Sequence, residues 1–367
     1  MQQNPIVPTL MDNVPIARLE ELQTHLRQLQ EDDSLQIDAR LLDEVELQLT
    51  EDNIPPLLPT LLGPLTAILK TTTQDPTSVL SITIKLLSPL PFTRLLTIAD
   101  QESILAALSS PLPGANLLAL AIIHKAAKTA ADAAILSTLP EVVEELVRRW
   151  LDAKDVGVGE KAARVLGDLL ETDCDIVEAQ PAPTINGTTG QEVIKRRVPG
   201  HGRLWQMILS NREFLTLIVS LCSPSPEDTE SPRTTNQQSL SQGRVLRLLP
   251  RLATLNLRAI TQQPLPDFFT AVHADAGAGL LQWASFDMID KEDILMRLSV
   301  VDFFETFVSI MRVTRVTTPD KDEIVKKIVK VAAESDEELK SALLALPDRT
   351  VEEEAEPLRE YIAKLLN

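Results

Sequence analysis

The chain has 367 residues, 44% hydrophobic and 24% charged, enough apolar sequence to bury a sizeable core and too much for a disordered chain. With 12 glycines and 3% aromatics against abundant Leu, Ala and Glu, it favours helix throughout and excludes a typical sandwich or barrel. A formal charge of −18 excludes a nucleic-acid binder, which needs a basic face to neutralise phosphate.

Half of that charge lies in residues 1–53, where three Lys/Arg face twelve Asp/Glu. Such an end can steer a basic partner or simply keep a surface solvated. The opening M-Q-Q-N-P-I-V-P has no basic region followed by an apolar core, so no secretory signal is expected. Leu19, Leu22, Leu26 and Leu29 share one face of a helix over 16–30, and Leu42, Val45 and Leu49 do so over 38–49, a first, capping hairpin. The most apolar run, 54–69, holds Pro55, Pro56, Pro59 and Pro64 and is too short to cross a bilayer. It reads as a proline-opened helix with a kink at Gly63-Pro64. Short helices follow over 79–87, 92–99 and 103–108, then a turn at 110–114.

The clearest hairpin comes next. Pro140 opens a helix with Val143, Leu146, Val147 and Trp150 on one face, and 155–170 forms a second with Val158, Ala162, Val165 and Leu169 at steps of four, three and four. Glu160, Arg164 and Asp168 form its opposite polar ridge, with an ion pair expected between Glu160 and Arg164. Ala162, Ala163 and Gly167 leave room for a neighbouring backbone. Residues 175–202 read as a long loop containing Asn186 and Lys195-Arg196-Arg197, 203–222 as a helical hairpin, and 223–239 as a disordered insertion. A helix over 245–261 has to kink or restart at Pro250. Helices over 268–285 and 293–313 carry most of the aromatics, and 321–333, 337–346 and 351–366 form a C-terminal cap.

The stacking pattern recurs. Leu120, Ile123 and Ala127 lie forty-two residues before Ala162, Val165 and Leu169, and Met296, Val300, Phe303 and Phe307 repeat the same steps. A period near forty fits two-helix repeats. The expected fold is therefore all-α, a HEAT/armadillo-like α-solenoid, a curved right-handed superhelix of helical hairpins; the alternative is an irregular all-helical domain. Repeats are placed at 1–174 and 240–318, and the cap at 319–367.

No catalytic constellation emerges. His25, His124, His201 and His273 are scattered without metal-ligand spacing, Gly200-His201-Gly202 lacks the Lys-Ser/Thr of a phosphate loop, and Cys174 and Cys222 read as reduced packing residues. No enzyme activity, cofactor or metal is expected. The partner-binding candidates are Glu160, Arg164 and Asp168 together with His124, Lys128, Asp302 and Glu305.

The runs V-G-V-G-E-K-A-A-R-V-L-G-D-L-L-E-T-D-C, R-V-P-G-H-G-R-L-W and S-L-C-S, with D-I-L-M-R-L-S-V-V-D-F-F-E-T-F further on, resemble a known family. It is the HEAT-repeat assembly chaperone of the proteasome regulatory particle, called non-ATPase regulatory subunit five in animals and often labelled a mismatch repair protein in fungi. The resemblance spans about residues 114–222 and 285–315. It implies a non-catalytic chaperone that grips the C-terminal domain of a base ATPase subunit on its concave face. Charge, cysteine usage and hydropathy lead to the expectation of a cytoplasmic and also nuclear chain that binds neither nucleic acid nor membrane, and a monomer on its own is expected. Ser299 stands where the family usually has Asn, and the stretch after Val316 looks short for the last repeats. The alternative function is a generic HEAT/armadillo scaffold, such as a transport adaptor or a phosphatase regulatory subunit.

Overall fold

The computed structural model describes residues 15–32, 34–176, 199–224, 232–262, 265, 268–269, 276–290, 292–314 and 320–367. All regular structure among them is helical, with no strand. The chain divides into two compact units, the first ending at Ile122 and the second beginning at Ile123.

The first unit contains α1 (Leu19–Glu31), α2 (Ala39–Glu46), α3 (Leu58–Thr71), α4 (Thr77–Leu87), α5 (Phe92–Leu96), α6 (Gln101–Leu108) and most of α7 (Pro113–His124). Asp38 and Asp100 open α2 and α6 as N-caps, accepting the backbone N–H groups of Leu41 and Ser103. Besides the sequence-adjacent pairs, α1 packs on α3 and α2 on α4, so one hairpin is stacked on the next. Leu22, Leu26, Leu42 and Val45 are buried at that joint, on the faces their spacing assigns. α2 ends at Glu46, short of 49, and leaves Leu47 exposed. α3 runs without a break through Gly63-Pro64, where a kink was expected. The Thr66 hydroxyl donates there to the Leu62 and Gly63 carbonyls.

The second unit begins with the end of α7 and a 3-10 turn over Lys125–Lys128. Because α7 stops at His124, Ala127 lies in that turn and not on the α-helix of Leu120 and Ile123. Then come α8 (Ala130–Leu136), α9 (Pro140–Asp152), α10 (Val156–Asp173), α11 (Arg203–Ser210), α12 (Arg212–Cys222), α13 (Thr235–Thr261), α14 (Leu280–Phe286), α15 (Ile294–Val313), α16 (Lys321–Ser335), α17 (Glu337–Ala345) and α18 (Glu352–Leu366). α9 and α10 form the predicted hairpin, and α13 packs on α9, α10, α14 and α15.

Three expectations are corrected. The insertion placed at 223–239 already contains helix, because Thr234 caps α13 in a reciprocal box with Gln237. Pro250 does not break α13; the departure is at Asn256, whose side chain accepts the Ala259 N–H and restarts the helix. The carbonyl of Leu255 beside that break accepts the thiol of buried Cys174. Of the helix expected over 268–285, the described residues show α14 alone; Phe268 and Phe269 sit in bends, and 270–275 lie outside the described residues. Residues 177–198 with Asn186 and Lys195–Arg197, residues 225–231, and His273 lie outside the described residues.

One device recurs wherever a helix ends in the interior. The last carbonyls of a helix have no partner within it, and here a side chain from a later element donates to them. Asn116 Nδ2 lies 2.8 Å from the Ala107 and Leu108 carbonyl oxygens at the end of α6. Trp205 Nε1 donates to Leu170 near the end of α10 (2.8 Å). Ser241 Oγ and Arg244 Nη1 both donate to Leu151 at the end of α9 (2.9 and 3.0 Å). Gln242 Nε2 spans Cys222 O at the end of α12 (2.8 Å) and Met288 O (2.7 Å), and Gln282 Nε2 reaches Thr261 O at the end of α13 (3.0 Å). These bonds fix the order in which helices dock. Gln242→Leu, which strands two buried carbonyls, is expected to lower unfolding stability by about 1–3 kcal/mol in a urea melt; a change below about 0.5 kcal/mol would show that the clamp is unimportant.

Candidate interaction surface

α10 starts at Asp155, whose carboxylate accepts the Val158 N–H at 2.9 Å. Its stripe of Val158, Ala162, Val165, Leu166, Leu169 and Leu170 is buried, as the spacing requires. The ridge opposite was expected to be the part left free. It is met instead by α13, which presents Arg244, Arg247 and Arg251 at steps of three and four, one helical stripe. The three guanidinium groups settle along α10 in order.

Arg244 lies over Gly159 and Arg251 over Gly167, so close that a Cβ at either glycine would overlap the guanidinium. The small residues of α10 therefore admit arginine side chains, not a neighbouring backbone. Arg247 Nη1 donates to Glu160 at 2.7 Å, and Arg251 Nη2 donates to Asp168 and to Glu171, each at 2.6 Å. His124 Nε2 reaches the other oxygen of Asp168, also at 2.6 Å. Burial works to raise the pKa of the Asp168 carboxyl, but its bonds to Arg251 and His124 outweigh this and hold it below the usual carboxylate range. Arg244 is the deepest of the three, 3% exposed, and desolvation lowers its pKa.

The predicted site residues thus divide. Asp168 and His124 come together, while Glu160 pairs separately with α13; the expected Glu160–Arg164 pair gives way to Glu160–Arg247. Arg164 is exposed and forms no ion pair among the described residues. Lys128 is exposed on the 3-10 turn, which Thr172 Oγ1 holds against the end of α10 through Ala127 O (2.7 Å). Glu305 is mostly covered and takes both terminal nitrogens of Arg349, which removes it from any open face. Asp302 is exposed and lines a groove of about 380 Å³ between α13 and α15, shared with Arg247, Pro250, Leu298, Ser299 and Thr306.

Beside that groove α15 exposes Ile294, Leu295 and Leu298, the last two 74% and 58%. Large apolar side chains next to a rim of charges are the composition of a protein-recognition patch. Sequence reading missed Arg247, Leu295 and Leu298. The R-x-x-R-x-x-x-R spacing of α13 was a readable signal for the arginine stripe; the exposure of the leucines was not readable, because their helix is apolar nearly all round.

Among the described residues no group of three His, Cys, Asp or Glu side chains comes together as a metal site. Burial pushes the Cys222 thiol up to about 12, leaving it a poor nucleophile. No described helix is long and apolar enough to cross a membrane.

Two expected outcomes test this geometry. Gly159→Ala should destabilise by about 1–3 kcal/mol, since the buried Arg244 has no room to move. Gly167→Ala should stay within about 1 kcal/mol of wild type, because the half-exposed Arg251 can swing out and alanine favours helix. Second, Asp168 has a folded pKa below its ordinary 3.8, so its contribution is present above that value and is lost as pH falls through the folded pKa. The stability gap between wild type and Asp168→Asn should be widest near neutral pH and close on acidification, as read by urea melts across pH.

The chain matches no family model and no curated protein sequence.

Proposed function

We propose that the chain is a non-catalytic protein-binding scaffold that takes its partner on the α10–α13–α15 face of the second unit. The observation that carries this reading is the adjacency of exposed Leu295 and Leu298 to a groove with Arg247 on one wall and Asp302 on the other. A patch with an apolar centre and charges of both signs at its rim fits a folded protein surface. The stacked hairpins α1–α2 and α3–α4 support a HEAT/armadillo-like solenoid as the framework.

The sequence resemblance gives the partner a chemistry: the C-terminal domain of a base ATPase subunit, held while the proteasome regulatory particle assembles in the cytoplasm. The resemblance rests on motifs of α10, α11, α12 and α15, and the proposed face draws on α10 and α15.

The test mixes the purified chain with each isolated base ATPase C-terminal domain and measures binding by calorimetry. One domain should bind, and Leu298→Asp, at an exposed position that leaves the fold intact, should weaken it about tenfold or more. Binding of none of the domains would end the chaperone reading. Undiminished binding by Leu298→Asp would move the interface away from α15.

A further inference from the structure

The first unit carries a second open groove, remote in sequence from the face described above. One wall is a single stripe of α3, in which Leu58, Leu62, Thr66 and Lys70 follow at steps of four. At about 1.5 Å per residue that stripe is about 18 Å long, the length of three helical turns. The floor and far wall come from α6, α7 and the segment between α5 and α6, where Ala99, Ala107 and Ala119 keep the surface low, and the groove encloses about 300 Å³. Ile98 stands on its rim, 52% exposed. Gly63 also lines it, and a Cβ there would meet nothing within 4 Å.

The groove contains a single charge among its described lining residues. Lys70 lies at one end, exposed, and forms no ion pair among the described residues. The stretch that lines the groove, residues 55–122, is otherwise balanced, with Lys85 and Arg94 beside Lys70 and Asp75, Asp100 and Glu102 against them.

We propose that this groove receives an amphipathic helix of another protein, apolar over three successive turns and carrying Asp or Glu at the end that meets Lys70. The α3, α6 and α7 walls are helical and offer no strand edge. A segment that loses water here has to satisfy its own backbone, and a helix does so. A stripe three turns long that carries Leu58 and Leu62, facing Ala99, Ala107, Leu118 and Ala119, fits the apolar face of such a helix lying in a groove. Charge then sets direction: the acid of the guest pairs with Lys70. This site is independent of the α10–α13–α15 face, and the two can fail separately.

The test uses the full chain and a fluorescein-labelled four-turn helical peptide with Leu at three successive turns and Glu at the next, on an Ala/Lys background. Fluorescence anisotropy should show saturable binding. Gly63→Phe, which fills the groove from a position with open space, should weaken it about tenfold or more, with circular dichroism showing that the variant is folded. Gly63→Ala should bind as wild type does. Lys70→Glu should reverse the preference, so that a peptide with Lys in place of Glu binds better. No saturable binding by wild type, undiminished binding by Gly63→Phe, or indifference to the charge at residue 70 would overturn the proposal. Dodecanoate binding to the groove while the peptide does not bind would make it a lipid site and overturn the proposal equally.

Discussion

The arginine stripe of α13 is the interaction on which the second unit depends. A guanidinium is flat and offers its donors in a fixed plane, so it can lie on a helix only where the side chain beneath is missing. Gly159 and Gly167 supply those two places on α10, and Glu160, Asp168 and Glu171 supply the acceptors beside them. The spacing is the constraint: eight residues between the glycines and seven between Arg244 and Arg251 are about two turns on each helix, so the two helices run in register. With α13 held on one side by α10, its other side is left for α15 and for the groove that opens there.

Much of the energy of this arrangement is in desolvated groups, not in the exposed ion pairs. Arg247 and Glu160 are both well solvated, and such pairs contribute little. Arg244 is different. It is buried, it has Nε and Nη2 without a hydrogen-bond partner, and its one bond is to the Leu151 carbonyl. That arrangement costs stability, while the bond it does make, together with that of Ser241, ties α13 to the open end of α9. The buried amides of Asn116, Gln242 and Gln282 act alike at other helix ends.

The helices were legible because their apolar periods are strong and their caps ordinary. α9, α10, α11 and α15 start within a residue of where Pro140, Asp155, Gly202 and Asp293 place them, and α10 runs three residues past its expected end at 170. What was not legible came from tertiary contacts. Pro250 reads as a break, yet burial on both sides carries α13 through it, and the break falls at Asn256, an unremarkable residue whose side chain can cap. The ridge of α10 reads as solvated because its acids are polar and evenly spaced; only the position of α13, set by residues about eighty further along, turns Asp168 inward. Sequence spacing reports the face of a helix, and not what covers that face.

Under the proposed function, the α10–α13 contact holds the unit together by register and its outer edge is offered to a partner. A charge exchange across that edge, Glu160→Arg with Arg247→Glu, separates the two roles. Because this pair is solvated, the melting temperature of the single variants and of the double exchange should stay close to wild type, while partner affinity falls in the double exchange, most visibly at low salt. A double exchange with wild-type affinity would contradict the account.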